Sequence, residues 1–178
     1  MKKIIIISTS PRKEGNSDLL AEEFRKGAEQ AGHEVEYVSL VGKEINFCRG
    51  CLACQKTHKC VMQDYAATVC GKMYDTDVVV WATPVYYYSI SGQMKTIIDR
   101  ANPLYGTEYR FTDTYLLASA AEDEPYVIEG PLKALQGWID CFERLDLKGV
   151  VFAGGVNSVG DIKGHKALME AYEMGKSV

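Results

Sequence analysis

The sequence predicts an α/β fold, a parallel β-sheet with helices on both of its faces. Apolar β-branched runs, which are typical of buried strands, alternate five times with helix-like segments along the 178 residues. Loops of unusual composition follow predicted strands one, three and four. Because ligands bind beyond the carboxyl ends of parallel strands, we expect these three loops to meet at one edge of the sheet.

The first half of the chain predicts three strands. Residues 4–7 are four consecutive isoleucines, which indicates a strand buried on both faces, and a helix follows with Leu20, Phe24 and Ala28 at helical spacing. Residues 34–40 predict a partly exposed strand. A cysteine-dense loop over residues 48–60 leads to a helix over residues 64–74 and a buried strand over residues 77–83.

The second half repeats the alternation. A helix containing Met94, Ile97 and Ile98 precedes a strand over residues 114–120. A helix with Pro131 in its first turn precedes a strand over residues 147–153, and a terminal helix ends the chain. Cys70 and Cys141 fall within predicted helices, so we expect both in the core.

Composition narrows the class of protein. Hydrophobic residues make up 47% and charged residues 25%, with a net charge of −4, so neither a basic nucleic-acid surface nor a membrane-spanning run is expected. We expect a single domain over residues 1–178 in the cytoplasm, with the six cysteines as thiols or metal ligands. The three histidines are scattered, and no side chain is nominated as a catalytic acid or base.

The loop after the first strand has the chemistry of a phosphate site. Free N–H groups and the positive end of the helix dipole favour anions at a helix N-terminus. Hydroxyl, amide and guanidinium groups precede this one: Ser8, Thr9, Ser10, Arg12, Asn16 and Ser17. The spacing excludes a P-loop and a dinucleotide glycine fingerprint. An ordinary polar loop that binds nothing is the alternative.

The loop after the third strand could hold a flat aromatic ring. Tyr86, Tyr87 and Tyr88 follow Pro84 and Val85, and aromatic faces with backbone amides suit a planar heterocycle. Together with a phosphate at the first loop, this predicts a mononucleotide-like cofactor across the sheet edge. Packing of the tyrosines against a helix or a dimer interface is the alternative.

Two stretches carry a family resemblance. STSPRKEGNS after the first strand and ATPVYYYSISGQMKTIIDR at the end of the third resemble the NAD(P)H-dependent FMN reductase branch of the flavodoxin-like superfamily. The similarity continues through AGGVNSVGDIKGH. It implies a flavodoxin-like three-layer αβα sandwich whose five-stranded parallel sheet has the order 2-1-3-4-5. It also implies a homodimer or homotetramer with FMN sites near the interface.

The resemblance implies specific FMN contacts. The phosphate would be held by Ser8, Ser10, Arg12, Asn16 and Ser17, the ring would lie against Pro84, Val85, Tyr86, Tyr87 and Tyr88, and Ser119, Ala120 and Ala121 would lie beside the ring. The implied function is an FMN-dependent oxidoreductase that moves electrons from NAD(P)H to a quinone, a flavin or a protein acceptor. A flavin-sensing module with a structural cofactor is an alternative from another class.

Four cysteines in the loop over residues 48–60 have the spacing C-x2-C-x2-C-x5-C: Cys48, Cys51, Cys54 and Cys60. The compact run resembles the bacterial ferredoxin pattern for a [4Fe–4S] cluster and the motif of the iron–sulfur flavoproteins, although Val61 stands where a ferredoxin has proline. An electron carrier that passes electrons from this cluster to FMN is therefore the alternative function. Free or disulfide-forming thiols and a zinc site remain open.

Overall fold

A computed structural model describes residues 1–178 and contains five parallel strands in the order β2-β1-β3-β4-β5. The strands are β1 (Lys3–Ser8), β2 (Glu34–Ser39), β3 (Val78–Pro84), β4 (Asp113–Ser119) and β5 (Asp146–Ala153). Each differs by no more than one residue at either end from the predicted strand. The predicted flavodoxin-like arrangement is confirmed, including the exposed edge position of β2.

Six α-helices cover the two faces of the sheet. They are α1 (Asn16–Gln30), the single-turn α2 (Cys54–Thr57), α3 (Tyr65–Tyr74), α4 (Gly92–Arg100), α5 (Glu129–Ile139) and α6 (Lys166–Lys176). Short 3-10 helices occupy Asn102–Leu104 and Pro125–Ile128. None of the helices has both the length and the apolar character that crossing a membrane requires.

The isoleucine run of β1 is buried on both faces of the sheet. Ile5 and Ile7 pack in a core of 23 buried residues under α3, α4 and α5, whereas Ile4 and Ile6 pack in a core of 17 buried residues under α1 and α6. Successive side chains of a strand point to opposite faces, so each core takes alternate isoleucines. A central strand with helices on both sides requires this uninterrupted apolar run.

Helices α1 and α6 approach each other closely at two glycines. A Cβ atom on Gly27 would lie 2.0 Å from the carbonyl oxygen of Tyr172, and one on Gly175 would lie 2.0 Å from that of Phe24. Only hydrogen fits at either position. The contact fixes α6, and with it the loop between β5 and α6, against the start of the chain.

Candidate functional site

A cleft lies at the sheet edge where β1, β3, β4 and β5 end. The register pairs Ser8 with Ala82, Pro84 with Ser119, and Ser119 with Ala153, so the four strands end side by side. The cleft has a volume of about 180 Å³. Ten of the residues predicted to bind the cofactor line it: Ser10, Arg12, Asn16, Ser17, Pro84, Val85, Tyr86, Ser119, Ala120 and Ala121.

Four further residues line the cleft that the sequence reasoning did not single out. Gly15 precedes α1, and Val156, Asn157 and Val159 come from the loop after β5. The parallel arrangement could have indicated this loop, because β5 lies beside β4 and ends at the same edge.

Among the residues of the cleft, Ser17 most clearly indicates a ligand-binding site. Its side chain is 1% exposed and its Oγ atom has no hydrogen-bond partner. It lies in the first turn of α1, where backbone N–H groups lack intrahelical acceptors. Because a buried unpaired hydroxyl is costly, this group is suited to an acceptor supplied by a ligand.

The other polar residues of this loop bind the protein itself. The Ser10 hydroxyl accepts a hydrogen bond from the Arg12 N–H at 3.1 Å, and the Asn16 side-chain amide donates to the Ser158 carbonyl at 3.0 Å. Arg12 Nη1 donates to the carbonyl of Asn157 at 2.9 Å. These bonds fasten the loop before α1 to the loop after β5 and leave further guanidinium donors of Arg12 free.

Ser8 lies outside the cleft. Its hydroxyl donates to the carboxylate of Asp18, which also accepts from the Gly15 N–H at 3.1 Å and from the Tyr37 hydroxyl at 3.3 Å. Burial raises the pKa of Asp18, and the hydrogen bonds from Ser8, Gly15 and Tyr37 oppose that rise. Asp18 therefore fixes the first turn of α1 in place, and the Ser8 hydroxyl is already used in its hydrogen bond to Asp18.

A strained turn presents the three tyrosines. Tyr86 and Ser89 exchange two backbone hydrogen bonds of 3.0 and 3.1 Å, and the residues between them, Tyr87 and Tyr88, have φ angles of 48° and 57°. Left-handed residues at both central positions define a type I′ turn, which normally uses glycine or asparagine. Each non-glycine residue there costs about 1–3 kcal/mol, a strain that persists only where surrounding structure enforces it.

The turn divides the tyrosines into two groups. Tyr86 lines the cleft, whereas Tyr87 is fully exposed and Tyr88 points away, its hydroxyl donating to Glu122 at 3.1 Å. The structure therefore brings one of the three predicted tyrosines into the cleft. Gly130 in α5 supports the turn, since a Cβ atom there would lie 1.8 Å from the carbonyl oxygen of Tyr88.

A buried hydroxyl network joins the first and third loops. The Ser91 hydroxyl donates to Thr9 Oγ1 at 3.0 Å, and the Ser91 N–H donates to Thr83 Oγ1 at 3.0 Å. Thr9 also donates to the carbonyl of Ala82 at 2.9 Å. The network fixes the distance between the predicted phosphate-binding loop after β1 and the tyrosine turn after β3.

The four cysteines of the loop over residues 48–60 line a second cavity, of about 630 Å³. Residues of α4 and α5, including Trp138, form its opposite wall. Cys54 is 9% exposed, and its sulfur accepts a hydrogen bond from Asn102 Nδ2 at 3.1 Å. No three histidine, cysteine, aspartate or glutamate side chains are grouped closely enough to hold one metal ion.

A buried ion pair anchors this cysteine loop. Arg100 is 1% exposed, and its two Nη atoms donate to the two carboxylate oxygens of Asp64 at 2.7 and 2.8 Å. Burial alone would raise the pKa of Asp64, but hydrogen bonds from Arg100 and Asn46 lower it well below its usual range. Both partners therefore stay charged and bound.

The two remaining cysteines differ from each other. Cys70 is buried in α3, as predicted, and burial together with the neighbouring Cys60 and Cys54 raises its pKa to about 12. It is therefore a neutral thiol at physiological pH. The prediction that Cys141 is a helical core residue is wrong: α5 ends at Ile139, and Cys141 is exposed beyond it. Its sulfur lines the cysteine cavity.

Comparison with known proteins agrees with this architecture. Residues 2–122 match the family described as NADPH-dependent FMN reductase. An iron–sulfur flavoprotein of Methanocaldococcus jannaschii is 40% identical over 102 residues, covering 57% of this chain and 53% of that protein. One from Archaeoglobus fulgidus is 31% identical over 180 residues, covering 99% of this chain and 78% of that protein. The chain therefore spans about half of the first relative and about four fifths of the second.

A solved structure with the same fold is an azoreductase from Bacillus anthracis. The two superpose with a TM-score of 0.75 over the full length of both chains at 17% identity, which establishes the shared fold. The family match covers about two thirds of this chain and contains β1, β3, β4 and the three loops that follow them at the cleft, but not the loop after β5. The chain belongs to the NADPH-dependent FMN reductase family of flavodoxin-like proteins.

Proposed function

We propose that this chain is an FMN-dependent oxidoreductase that takes electrons from NAD(P)H and passes them to a quinone, a flavin or a protein acceptor. The observation that carries the proposal is the buried, unpartnered Ser17 hydroxyl at the α1 N-terminus, inside a cleft lined by ten of the predicted residues. Bound FMN would supply the chemistry by accepting a hydride from the nicotinamide and releasing electrons to the acceptor.

The residues of the cleft fit the phosphate end of this cofactor. The Ser17 hydroxyl and the first-turn N–H groups of α1 donate to phosphate oxygens, and Arg12 contributes positive charge. Ser10 and Asn16 act by holding the loop in shape through their bonds to Arg12 and Ser158. Asp18, which lies in the first turn of α1, holds the same loop by accepting a hydrogen bond from its backbone.

The ring end of the cofactor would lie against two loops of the cleft. A volume of about 180 Å³ is below the roughly 300–1,000 Å³ of ligand pockets, so the cleft encloses only part of an FMN molecule. Pro84, Val85 and Tyr86 on one loop and the backbone of residues 119–121 on another line the remaining walls. These residues would hold the flavin ring and leave its remaining surface free for a nicotinamide or an acceptor to approach.

Substitutions of Ser17 test the phosphate assignment. Ser17→Ala removes one hydrogen bond to a charged acceptor, worth about 1.5–3 kcal/mol, and weakens FMN binding roughly tenfold or more. Ser17→Asp adds a negative charge beside the phosphate, worth about 4 kcal/mol at 4 Å in a partly screened site, and weakens FMN binding more than about 100-fold. Quenching of flavin fluorescence on titration with the apoprotein measures both.

Ser177→Asp is the matched control. It adds the same charge at the exposed C-terminal end of α6. The loop that contacts the cleft precedes the opposite, N-terminal end of this helix. Its FMN affinity should equal that of the unaltered chain. Equal affinity in the Ser17→Asp and Ser177→Asp variants would refute the assignment of Ser17.

A second candidate function is supported by the cysteine cavity. Cys48, Cys51, Cys54 and Cys60 place four thiols around one cavity of about 630 Å³, the ligand type that a [4Fe–4S] cluster requires. Each thiolate of such a cluster binds a different iron, so the sulfurs stand further apart than the ligands of one ion. We propose that these four cysteines hold the cluster and that electrons from a ferredoxin-like donor reach FMN through it.

The two candidates are separated by their electron donors. Rapid oxidation of NADH or NADPH by iron-free, FMN-loaded protein would support the reductase. Reduction of the flavin by a ferredoxin-like donor, lost in a variant with all four cysteines changed to serine, would support the carrier. A flavin that neither donor reduces would leave the cofactor with a structural role.

A further inference from the structure

Arg100 connects the two ends of the cysteine loop. Its Nη1 atom donates to the carbonyl of Asn46 at 2.7 Å, and its Nη2 atom donates to the carbonyl of Met62 at 3.1 Å. These carbonyls lie two residues before Cys48 and two residues after Cys60. One buried guanidinium, paired with Asp64, therefore closes the loop that carries all four thiols.

One donor of this guanidinium is unused within the protein. The two Nη atoms make four hydrogen bonds, whereas the buried Nε atom has no partner. Arg100 therefore places a buried ion pair with Asp64 at the base of the loop that carries the four thiols.

A side-chain donor to one of the four sulfurs comes from the same stretch of chain as Arg100. Asn102, two residues after Arg100, starts the 3-10 helix Asn102–Leu104 and donates its Nδ2 hydrogen to Cys54 Sγ at 3.1 Å. The amide of Asn102 is half-buried, and Cys54 is buried. One of the four sulfurs thus accepts a hydrogen bond from the segment that follows α4.

We propose that Asn102 is a positioning residue that donates a hydrogen bond to the sulfur of Cys54 and thereby raises the reduction potential of an iron–sulfur cluster held by the loop. The inference rests on the proposed cluster. Reduction adds negative charge to the cluster and its sulfurs, so an N–H donor to a sulfur stabilises the reduced form more than the oxidised form.

Substitutions of Asn102 test this role and leave the buried Arg100–Asp64 pair in place. Asn102→Leu removes the donor at similar volume, and Asn102→Asp replaces it with a negative charge. The matched control is Thr107→Val, which removes a 2.7 Å hydrogen bond to the Leu104 carbonyl in the same segment, a bond that involves no sulfur.

The measurement is a redox titration of the cluster by electron paramagnetic resonance, on full-length protein reconstituted anaerobically with iron and sulfide. At a fixed potential, Asn102→Leu should lower the ratio of reduced to oxidised cluster about tenfold, equal to about 59 mV for a one-electron couple. Asn102→Asp should lower the ratio further, and Thr107→Val should leave it unchanged.

The possible results distinguish a failure of this inference from a failure of the proposed iron–sulfur cluster on which it rests. Unaltered protein that takes up no iron defeats the cluster and the inference together. If the unaltered protein holds a cluster, and the Asn102→Leu variant has the same iron content and the same reduction potential, only the inference is refuted. An equal shift in the Thr107→Val variant also overturns it, because the effect would then come from a loosened loop.

Discussion

Gly130→Ala tests whether α5 enforces the strained tyrosine turn. Gly130 is the second residue of α5, and its added Cβ atom would lie 1.8 Å from the carbonyl oxygen of Tyr88. Non-bonded atoms essentially never approach within 3.0 Å of a Cβ, so the carbonyl must retreat by about 1 Å or more. The turn that places Tyr86 at the cleft moves with it.

Two opposing effects set the expected magnitude. Overpacking of this kind costs about 1–3 kcal/mol, and alanine in place of glycine within a helix returns up to about 1 kcal/mol. The net loss in the free energy of unfolding is therefore about 0–3 kcal/mol, small enough for the variant to fold. Displacement of Tyr86 should weaken FMN binding roughly tenfold, which corresponds to about 1.4 kcal/mol.

Gly137→Ala in the same helix provides the control. A Cβ atom on Gly137 meets nothing within 4 Å, so this variant should gain up to about 1 kcal/mol of stability and bind FMN normally. Urea unfolding of the apoprotein and fluorescence titration with FMN measure the two effects. The reasoning is refuted if Gly130→Ala and Gly137→Ala bind FMN with equal affinity.

Two further predictions concern stability. Gly27→Ala places a Cβ atom 2.0 Å from the Tyr172 carbonyl oxygen and should cost about 1–3 kcal/mol in urea unfolding, whereas Gly71→Ala, with open space around it, should gain up to about 1 kcal/mol; a change of the same sign in both would contradict the close contact of α1 and α6. Asp64 should make the fold acid-sensitive, because hydrogen bonds from Arg100 and Asn46 overcome the effect of burial and hold its folded-state pKa below its unfolded value near 4. The stability that this carboxylate contributes is fully present above that unfolded value and is lost as pH falls below it towards the folded-state pKa. At pH 7 the free energy of unfolding of the Asp64→Asn variant should be about 3–5 kcal/mol lower than that of the unaltered protein, and it should fall less between pH about 4 and 3. Parallel plots of the free energy of unfolding against pH for the two proteins would contradict this role.

The strands were predictable because several signals agree in them. The isoleucines of β1 and the valines of β3 combine β-branched side chains with continuous apolar character, and neither run contains a glycine or proline before its end. Placement of the three loops at one edge follows from the parallel order. The sequence therefore located the cleft, although it did not identify which atoms face it.

Side-chain directions in the loops were harder to predict. Ser8 shares a face with Ile4 and Ile6, so the alternation along β1 already directs it towards α1 and Asp18. The tyrosine turn carries no such signal, since Tyr87 and Tyr88 adopt left-handed conformations without glycine. Their orientation depends on Gly130, which lies about forty residues further along the chain.

The role of Arg100 was also hidden in the sequence. An arginine in the last turn of a helix ordinarily reaches solvent and interacts with the helix dipole. Here tertiary packing buries it against Asp64 and two carbonyls from a distant loop. Such a contact joins segments far apart in sequence, so neither spacing nor periodicity could indicate it.

The flavin content of the full-length protein, purified without oxygen and supplied with FMN, tests the central claim most directly. Flavin released from gel-filtered protein and identified by chromatography should be FMN, at about one molecule per chain. Iron and sulfide assayed on the same sample should reach about four of each per chain if the cysteine loop holds its cluster. Protein that retains no flavin would contradict the assignment of the cleft between Ser17 and Tyr86 as an FMN site.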